Sequence, residues 1–194
     1  MKNRIFFSLI LAFSFSMLKA QSYLYDKGAS GPAFTYGRLQ GINTLAVDFT
    51  FNGQVSIGGT VVGFDQDGRV YGINGIANML KIQRKNNLVS LPLIVAYQKV
   101  NSNHLLTYGA GFFVKSYVSD EVSTAIGFSY VRNRLSNSFS NNNFGQFGVD
   151  VLLFYKTLRA GPSFVLTDNQ FSFGFTFGFA FNHREIPRPT IHFF

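Results

Sequence analysis

The residues Phe171-Ser-Phe173-Gly-Phe175-Thr-Phe177-Gly-Phe179-Ala-Phe181 alternate phenylalanine with a small side chain throughout. An alternation of period two is typical of a β-strand, so one face of this strand is aromatic and the other is nearly empty. A strand of this length, rising about 3.4 Å per residue and tilted by about 45°, covers roughly 24 Å of membrane normal, close to the apolar band of an outer-membrane barrel. The stretch therefore predicts a strand whose phenylalanines face either lipid or a second sheet.

The composition of the whole chain shares this bias. The 194 residues include 24 Phe, 9 Tyr and 19 Gly, and charged residues make up 13%, against about 25% in an ordinary soluble domain. The chain has no cysteine, which excludes disulfides and thiolate metal sites. The net charge of +8 is too diffuse to indicate a nucleic-acid partner.

The first twenty residues have the pattern of an export signal. Lys2 and Arg4 precede an apolar run over residues 5–18, and Ala20 ends a small-residue cleavage site before Gln21. The run falls short of the roughly 20 residues that a transmembrane helix needs. We therefore predict a cleaved signal peptide over 1–20, a barrel domain over 21–182 and a C-terminal tail over 183–194, with any membrane crossing made by strands.

The barrel domain alternates apolar with small or polar residues in stretches of about ten, separated by Asn, Asp, Gly and Ser clusters. Asn52-Gly53 predicts a type I′ hairpin turn. The pattern predicts an all-β, eight-stranded antiparallel up-and-down transmembrane β-barrel, with both termini on the periplasmic side. Its strands are expected at 33–40, 44–51, 54–64, 88–98, 105–116, 145–155, 158–167 and 171–182.

Connection lengths predict the orientation of this barrel. Inner turns at 52–53, 100–102 and 156–157 are short, whereas 65–87 and 117–144 are expected to be long outer loops. Within the first of these loops, residues 70–82 are ambiguous, because they are compatible with an added strand pair, with an extension of the neighbouring strands above the membrane or with a short helix. Ten strands are therefore the alternative to eight.

Two neighbouring segments carry a family resemblance. Asn87-Leu-Val-Ser-Leu-Pro-Leu-Ile-Val-Ala-Tyr97, followed by Leu105-Leu-Thr-Tyr-Gly-Ala-Gly-Phe-Phe113, resembles the motif pair of PorT-like small outer-membrane β-barrel proteins. The resemblance implies an eight-stranded barrel like the OmpX and OmpA transmembrane domains. Most members of the family have no assigned activity, and one type assists a secretion machine, which makes an accessory barrel of a protein secretion system one alternative.

The Phe171 strand also resembles the C-terminal aromatic signal that the barrel-assembly machinery recognises, so that machinery is an expected partner during biogenesis. The chain ends in Phe194, but Pro187 and Pro189 lie between this residue and the strand. Because proline cannot donate a ladder hydrogen bond, we expect the tail to lie outside the last strand.

Charged residues on the face opposite the lipid predict a network inside the barrel. An eight-stranded barrel is filled by its own side chains, which disfavours an open porin. Asp48, Lys115, Asp150 and Arg159 fall on the inward face, and unpaired burial of such groups costs several kcal/mol. We therefore predict a structural lumen charge network in which Asp150 and Arg159, on adjacent strands, are partners. A gated ion path or a small-ligand site is the alternative. The lipid-facing side chains of the last strand are Phe171, Phe173, Phe175, Phe177, Phe179 and Phe181.

The histidines do not indicate an enzyme. His104, His183 and His192 all fall on the inner side of the predicted barrel, without an evident serine or acidic partner. Their spacing also fails that of a metal site, and no glycine-rich phosphate loop is present. We therefore expect no catalytic residue, no metal and no cofactor.

The sequence thus favours an integral protein of the cell outer membrane with a structural or interaction role. Its expected partners are outer-membrane lipid and, through a basic second loop, lipopolysaccharide, while a merely solvated loop is the alternative. A soluble exported lipocalin-like or sandwich protein that binds an apolar ligand is the alternative fold. The basic residues of the second loop are Arg69, Lys81, Arg84 and Lys85.

Overall fold

The computed structural model describes residues 25–39, 42–64, 68–100, 103–136, 141–167 and 170–181. These residues form ten β-strands, and none of them belongs to a helix long and apolar enough to span a bilayer. The strands are β1 (Gly31–Leu39), β2 (Ile42–Phe51), β3 (Val55–Phe64), β4 (Gly68–Gln83), β5 (Asn87–Val100), β6 (Asn103–Tyr117), β7 (Val122–Ser136), β8 (Asn141–Tyr155), β9 (Leu158–Thr167) and β10 (Gln170–Ala180).

Each strand pairs antiparallel with the next, and β10 returns to pair with β1, which closes the barrel. The closing register runs from Ala33 opposite Ala180 to Leu39 opposite Gly174. Closure pairs the backbone groups of every strand on both sides, so the sheet has no edge. We call the end at which β1 begins and β10 ends the terminal end, and the opposite end the distal end.

The prediction of eight strands is wrong, because both predicted outer loops contain a strand. β4 occupies most of 65–87 and β7 most of 117–144, and no connection between consecutive strands exceeds four residues. The eight-stranded barrel that the family resemblance implied is corrected in the same way. β4 and β7 escaped the pattern because each has a polar end: the outward face of β7 finishes in Arg132 and Arg134 rather than in apolar side chains.

Two of the predicted tight turns are present at the terminal end. Asn52 and Gly53 have φ values of 51° and 62°, the left-handed conformations that a type I′ turn needs, and the Gln54 amide donates to the Phe51 carbonyl over 2.9 Å. Lys156 has a φ of 51° in the turn between β8 and β9. The third predicted inner turn is misplaced, since β5 ends and β6 begins at the distal end.

A bulge in β4 determines which of its side chains face inward. The pairing with β5 shifts between Asn78 and Leu80, which leaves Met79 as the extra residue. The shift reverses the alternation, so Leu80 turns outward and Lys81 becomes buried inside the barrel. A lysine predicted to lie in an exposed loop is therefore an interior residue.

The interior packs small residues against large ones. Phe113 on β6 is 2% exposed, and its ring lies over Gly127, its neighbour across the ladder on β7. Any β-carbon at Gly127 would overlap this ring. The glycine is thus required by the close approach of the phenyl ring, while apolar side chains such as Ile94 and Leu152 surround the pair.

We expect Gly127→Ala to destabilise the barrel by about 1–3 kcal/mol, the usual cost of overpacking a filled interior. Gly63→Ala on β3 is the matched control, because no atom lies within 4 Å of the position its β-carbon would take. Thermal unfolding of both variants, followed by the loss of the compact band in a gel-shift assay, measures the difference. Equal unfolding temperatures would show that Phe113 can move aside without cost.

Candidate functional site

A chain of polar side chains crosses one side of the barrel interior. Thr107 donates to the Asn133 side-chain oxygen, the Asn133 amide donates to Gln146 over 3.1 Å, and the Gln146 amide donates to Thr167 over 2.9 Å. These four residues come from β6, β7, β8 and β9 and are all buried. Buried amides require such partners, and the chain therefore joins four strands from within.

Three of the four predicted lumen charges lie together with this polar interior. Asp150 accepts a hydrogen bond from the Ser163 hydroxyl over 2.5 Å, and Asp48 accepts one from the Asn74 amide over 3.2 Å. Arg159 is 1% exposed and donates to Thr35 on β1. All three charges are thus buried and hydrogen-bonded, as charges removed from water must be.

The register places Asp150 opposite Ser163 and Arg159 opposite Phe154, so the two predicted partners are offset along the barrel axis. The direct ion pair between them stays a prediction. Arg159 acts electrostatically on Asp48, and its guanidinium occupies the space above Gly178, where a β-carbon would approach Nε to 2.8 Å. This contact explains why position 178, on the inward face of the phenylalanine strand, is a glycine.

Lys115, the fourth predicted charge, lies at the terminal end, where it contacts other residues but remains within the electrostatic reach of Arg159. Its ammonium lies 3.5 Å from the Asp26 carboxylate and about 5 Å from the ring centres of Tyr117 and Phe154. The Tyr117 hydroxyl donates a hydrogen bond to the same Asp26 carboxylate. Asp26 is therefore held by one cation and one hydroxyl, both from β6.

Asp26 belongs to a segment, residues 25–30, that crosses the terminal mouth of the barrel before β1 begins. The Gly28 amide donates to the Asn52 carbonyl over 3.0 Å, and the Lys27 amide donates to the Gln83 side chain over 2.7 Å. Asp26 adds its contacts with Lys115 and Tyr117 of β6. The segment therefore contacts the β2–β3 turn, β4 and β6 in succession. Since β6 lies five strands from β1 in either direction around the ten-stranded barrel, the segment reaches the opposite wall.

Tyr25 fills the space beneath this segment. Its side chain is 4% exposed, packs with Ala29 and Ala33, and lies in the electrostatic field of Arg159 and Asp48. The segment thus both covers the mouth and inserts a ring into the lumen. Residues 25–30 carry no periodic pattern, and the contact between Asp26 and Lys115 spans 89 positions, so sequence reasoning missed this feature.

A second ion pair at the same end is exposed. The Lys156 ammonium lies 3.0 Å from the Glu121 carboxylate, between two turns that lie outside the strands. The hydrogen bond to Glu121 raises the pKa of Lys156. Because both side chains are about half exposed, this pair contributes little to stability. It is therefore a natural control for the less exposed pair of Asp26 and Lys115.

The outer face of the barrel is apolar. All six phenylalanines of the terminal stretch lie on it, between 37% and 63% exposed. Large aliphatic and aromatic side chains from the other nine strands continue this surface around the barrel, while the interior holds hydroxyls, amides and charges beside the apolar cluster around Phe113. A soluble sandwich or lipocalin-like protein would enclose its aromatic face. The alternative of a soluble exported fold is therefore wrong.

Outward-facing tyrosines gather toward the distal end, where the strands leave the apolar band. An aromatic girdle of this kind marks the interface between lipid and water in outer-membrane barrels. These tyrosines are Tyr36, Tyr71, Tyr97, Tyr108 and Tyr130.

Comparison with solved structures agrees with this geometry. LpxR from Salmonella typhimurium has a similar fold, with a TM-score of 0.51 and 9% sequence identity over 71% of each chain. This chain is an outer-membrane β-barrel. Two structures of the KdgM porin, one of them in complex with disordered oligogalacturonate, are also matched over 77% of this chain and 98% of theirs, at 12% identity and TM-scores of 0.39 and 0.40. No family model and no curated protein matches the chain, so the resemblance to PorT-like proteins stays a prediction.

His104 lies on the outer face at the distal end of the barrel. The prediction placed it at the opposite, periplasmic end, because without β4 the strands that follow run in the reverse direction. The Tyr97 hydroxyl and His104 Nδ1 are 2.5 Å apart, and their rings stack. Ser136 is opposite His104 in the ladder, yet among the described residues no acid lies beside this histidine to orient it, as a catalytic triad requires. His183 and His192 lie outside the described residues.

The predicted basic loop does not exist as one surface. Arg69 lies on the outward face of β4 near the distal end, Lys81 is inside the barrel, and Arg84 and Lys85 are exposed in the turn at the terminal end. Within the described part of the chain, no three histidine or acidic side chains group closely enough to hold a metal ion.

Proposed function

We propose that this outer-membrane barrel is sealed, and that it has a structural or interaction role rather than that of an open porin or an enzyme. The observation that carries the proposal is the contact of Asp26 with Lys115 and Tyr117 on β6, the strand opposite β1. A segment anchored at both walls crosses the mouth, and it cannot leave without breaking a charge-assisted hydrogen bond and an ion pair.

The lumen beneath the segment supports the same proposal. Ten strands enclose a wider interior than the eight that side chains just fill, so a ten-stranded barrel needs additional material to be closed. Here Tyr25, the buried Arg159 and the amide chain through Asn133 and Gln146 supply it. The apolar outer face is covered by lipid, while the filled interior stiffens the barrel.

Planar-bilayer recordings test this proposal. The full-length barrel, reconstituted from detergent, is expected to produce no steady conductance, because residues 25–30 cross the mouth and buried side chains occupy the lumen beneath them. A general porin reconstituted in the same lipid provides the positive control. A steady conductance of the unmodified barrel as large as that of the porin control would contradict the proposal. It would show that residues 25–30 leave the mouth of the barrel in the membrane.

A further inference from the structure

Five basic side chains occupy the outward face of four consecutive strands at the distal end. We call this surface the distal basic patch; it consists of Arg69 on β4, Lys99 on β5, His104 on β6, and Arg132 and Arg134 on β7. The register makes the patch continuous: Lys99 is opposite His104, and on the next ladder Arg134 is opposite Leu106. All five side chains are exposed.

The patch lies level with the tyrosine girdle and just beyond it. Tyr71 is opposite Lys99, and Tyr108 is opposite Arg132, whose guanidinium lies beside the Tyr108 and Tyr130 hydroxyls. Since the girdle marks the depth at which lipid tails give way to head groups, the basic groups lie at the level of the head groups. Long arginine and lysine side chains reach that level with their apolar stems still in lipid.

No acid faces outward at this end among the described residues. Outside the lumen, the described acids are Asp26, Asp120 and Glu121, and all three lie at the terminal end. The positive field of the patch is therefore not neutralised by the adjacent strands. Asp65 and Asp67, which precede Arg69 in the chain, lie outside the described residues. In an even-stranded barrel with periplasmic termini, the distal end faces the outer leaflet, whose anionic head groups can neutralise the patch.

We propose that the distal basic patch binds the phosphorylated head group of lipopolysaccharide. Arg132 and Arg134 alternate with Asn133 on one strand, so their guanidinium groups project side by side and each can engage a phosphate through two parallel hydrogen bonds. Lys99 contributes a point charge from the neighbouring hairpin. The proposal rests on the outer-membrane location and is independent of whether the lumen is sealed.

Native mass spectrometry of the full-length barrel in detergent tests the patch with three probes: bisphosphorylated lipid A, the same lipid with both phosphates removed, and inorganic phosphate. Arg132→Gln/Arg134→Gln is expected to bind phosphorylated lipid A about thirtyfold more weakly than wild type, from the usual contribution of a basic residue near an anionic surface. The control, Arg84→Gln/Lys85→Gln, removes the same charge at the terminal end and is expected to bind as wild type does. A gel-shift assay confirms folding, and Lys99→Gln replaces the double variant if that variant does not fold.

Three outcomes would overturn the proposal. Equal weakening in the terminal-end control would show that net charge alone attracts the lipid. Equal binding of dephosphorylated lipid A would show that the acyl chains, not the phosphates, are recognised. Displacement of the lipid by inorganic phosphate at matched concentration would show a free-anion site rather than a lipid site.

Discussion

Replacing Arg159 with methionine is expected to lower the stability of the folded barrel by about 3 kcal/mol, because removal of one partner leaves buried acids without their counter-charge. Arg159 is 1% exposed, donates to Thr35 and lies within the electrostatic reach of Asp48. Methionine keeps most of the volume above Gly178, so the loss reports charge and hydrogen bonding rather than a cavity. The temperature at which the compact band disappears in a gel-shift assay measures the effect.

Arg38→Met is the matched control, since Arg38 is an exposed arginine on the outer face of β1 and the substitution is chemically identical. Its unfolding temperature should stay near that of wild type. The double variant Asp48→Asn/Arg159→Met is expected to recover part of the loss, because it removes the acid left uncompensated. Additive effects in the double variant would show that Asp48 and Arg159 are independent, and the lumen network would then be the wrong description.

Local alternation was sufficient to predict most of the barrel. Three features each follow from a pattern within about ten residues: the strand that carries Phe171 to Phe179, the turn at Asn52-Gly53, and the inward position of Asp48, Asp150 and Arg159. Such patterns are strong because a shift of one residue would turn every side chain to the wrong face.

Other features could not be predicted, because they depend on contacts distant in the sequence. β4 contains a bulge at Met79 that breaks the alternation midway, so Lys81 looked like a loop residue although it is buried. A topology without β4 also reverses the directions of β5 and β6, and it therefore puts His104 at the wrong end of the barrel. The contact between Asp26 and β6 has no local signal, since neither residue type nor spacing links the two positions.

Releasing Asp26 is expected to expose the lumen to solutes. The chain contains no cysteine, so Thr50→Cys introduces a single thiol, buried in the lumen beside Tyr25. Adding Asp26→Ala removes the ion pair to Lys115 and the hydrogen bond from Tyr117. Because a charge-assisted contact of this kind contributes about 1.5–3 kcal/mol, the open population and the rate of labelling by a membrane-impermeant maleimide should rise roughly tenfold or more.

Glu121→Ala in the same Thr50→Cys background is the control for this experiment. It removes an acid at the same end of the barrel, but the ion-pair partner of Glu121 is Lys156, an exposed residue of the β8–β9 turn, and not a residue of the segment 25–30. Labelling should therefore remain slow in the control, and Asp26→Asn should be intermediate, because the amide oxygen can still accept the Tyr117 hydrogen bond. If Asp26→Ala and Glu121→Ala both label at the wild-type rate, the other contacts of the segment suffice to hold it, such as the hydrogen bonds to Asn52 and Gln83 and the packing of Tyr25. If both label fast, charge loss in general opens the mouth, and the specific role of Asp26 is refuted.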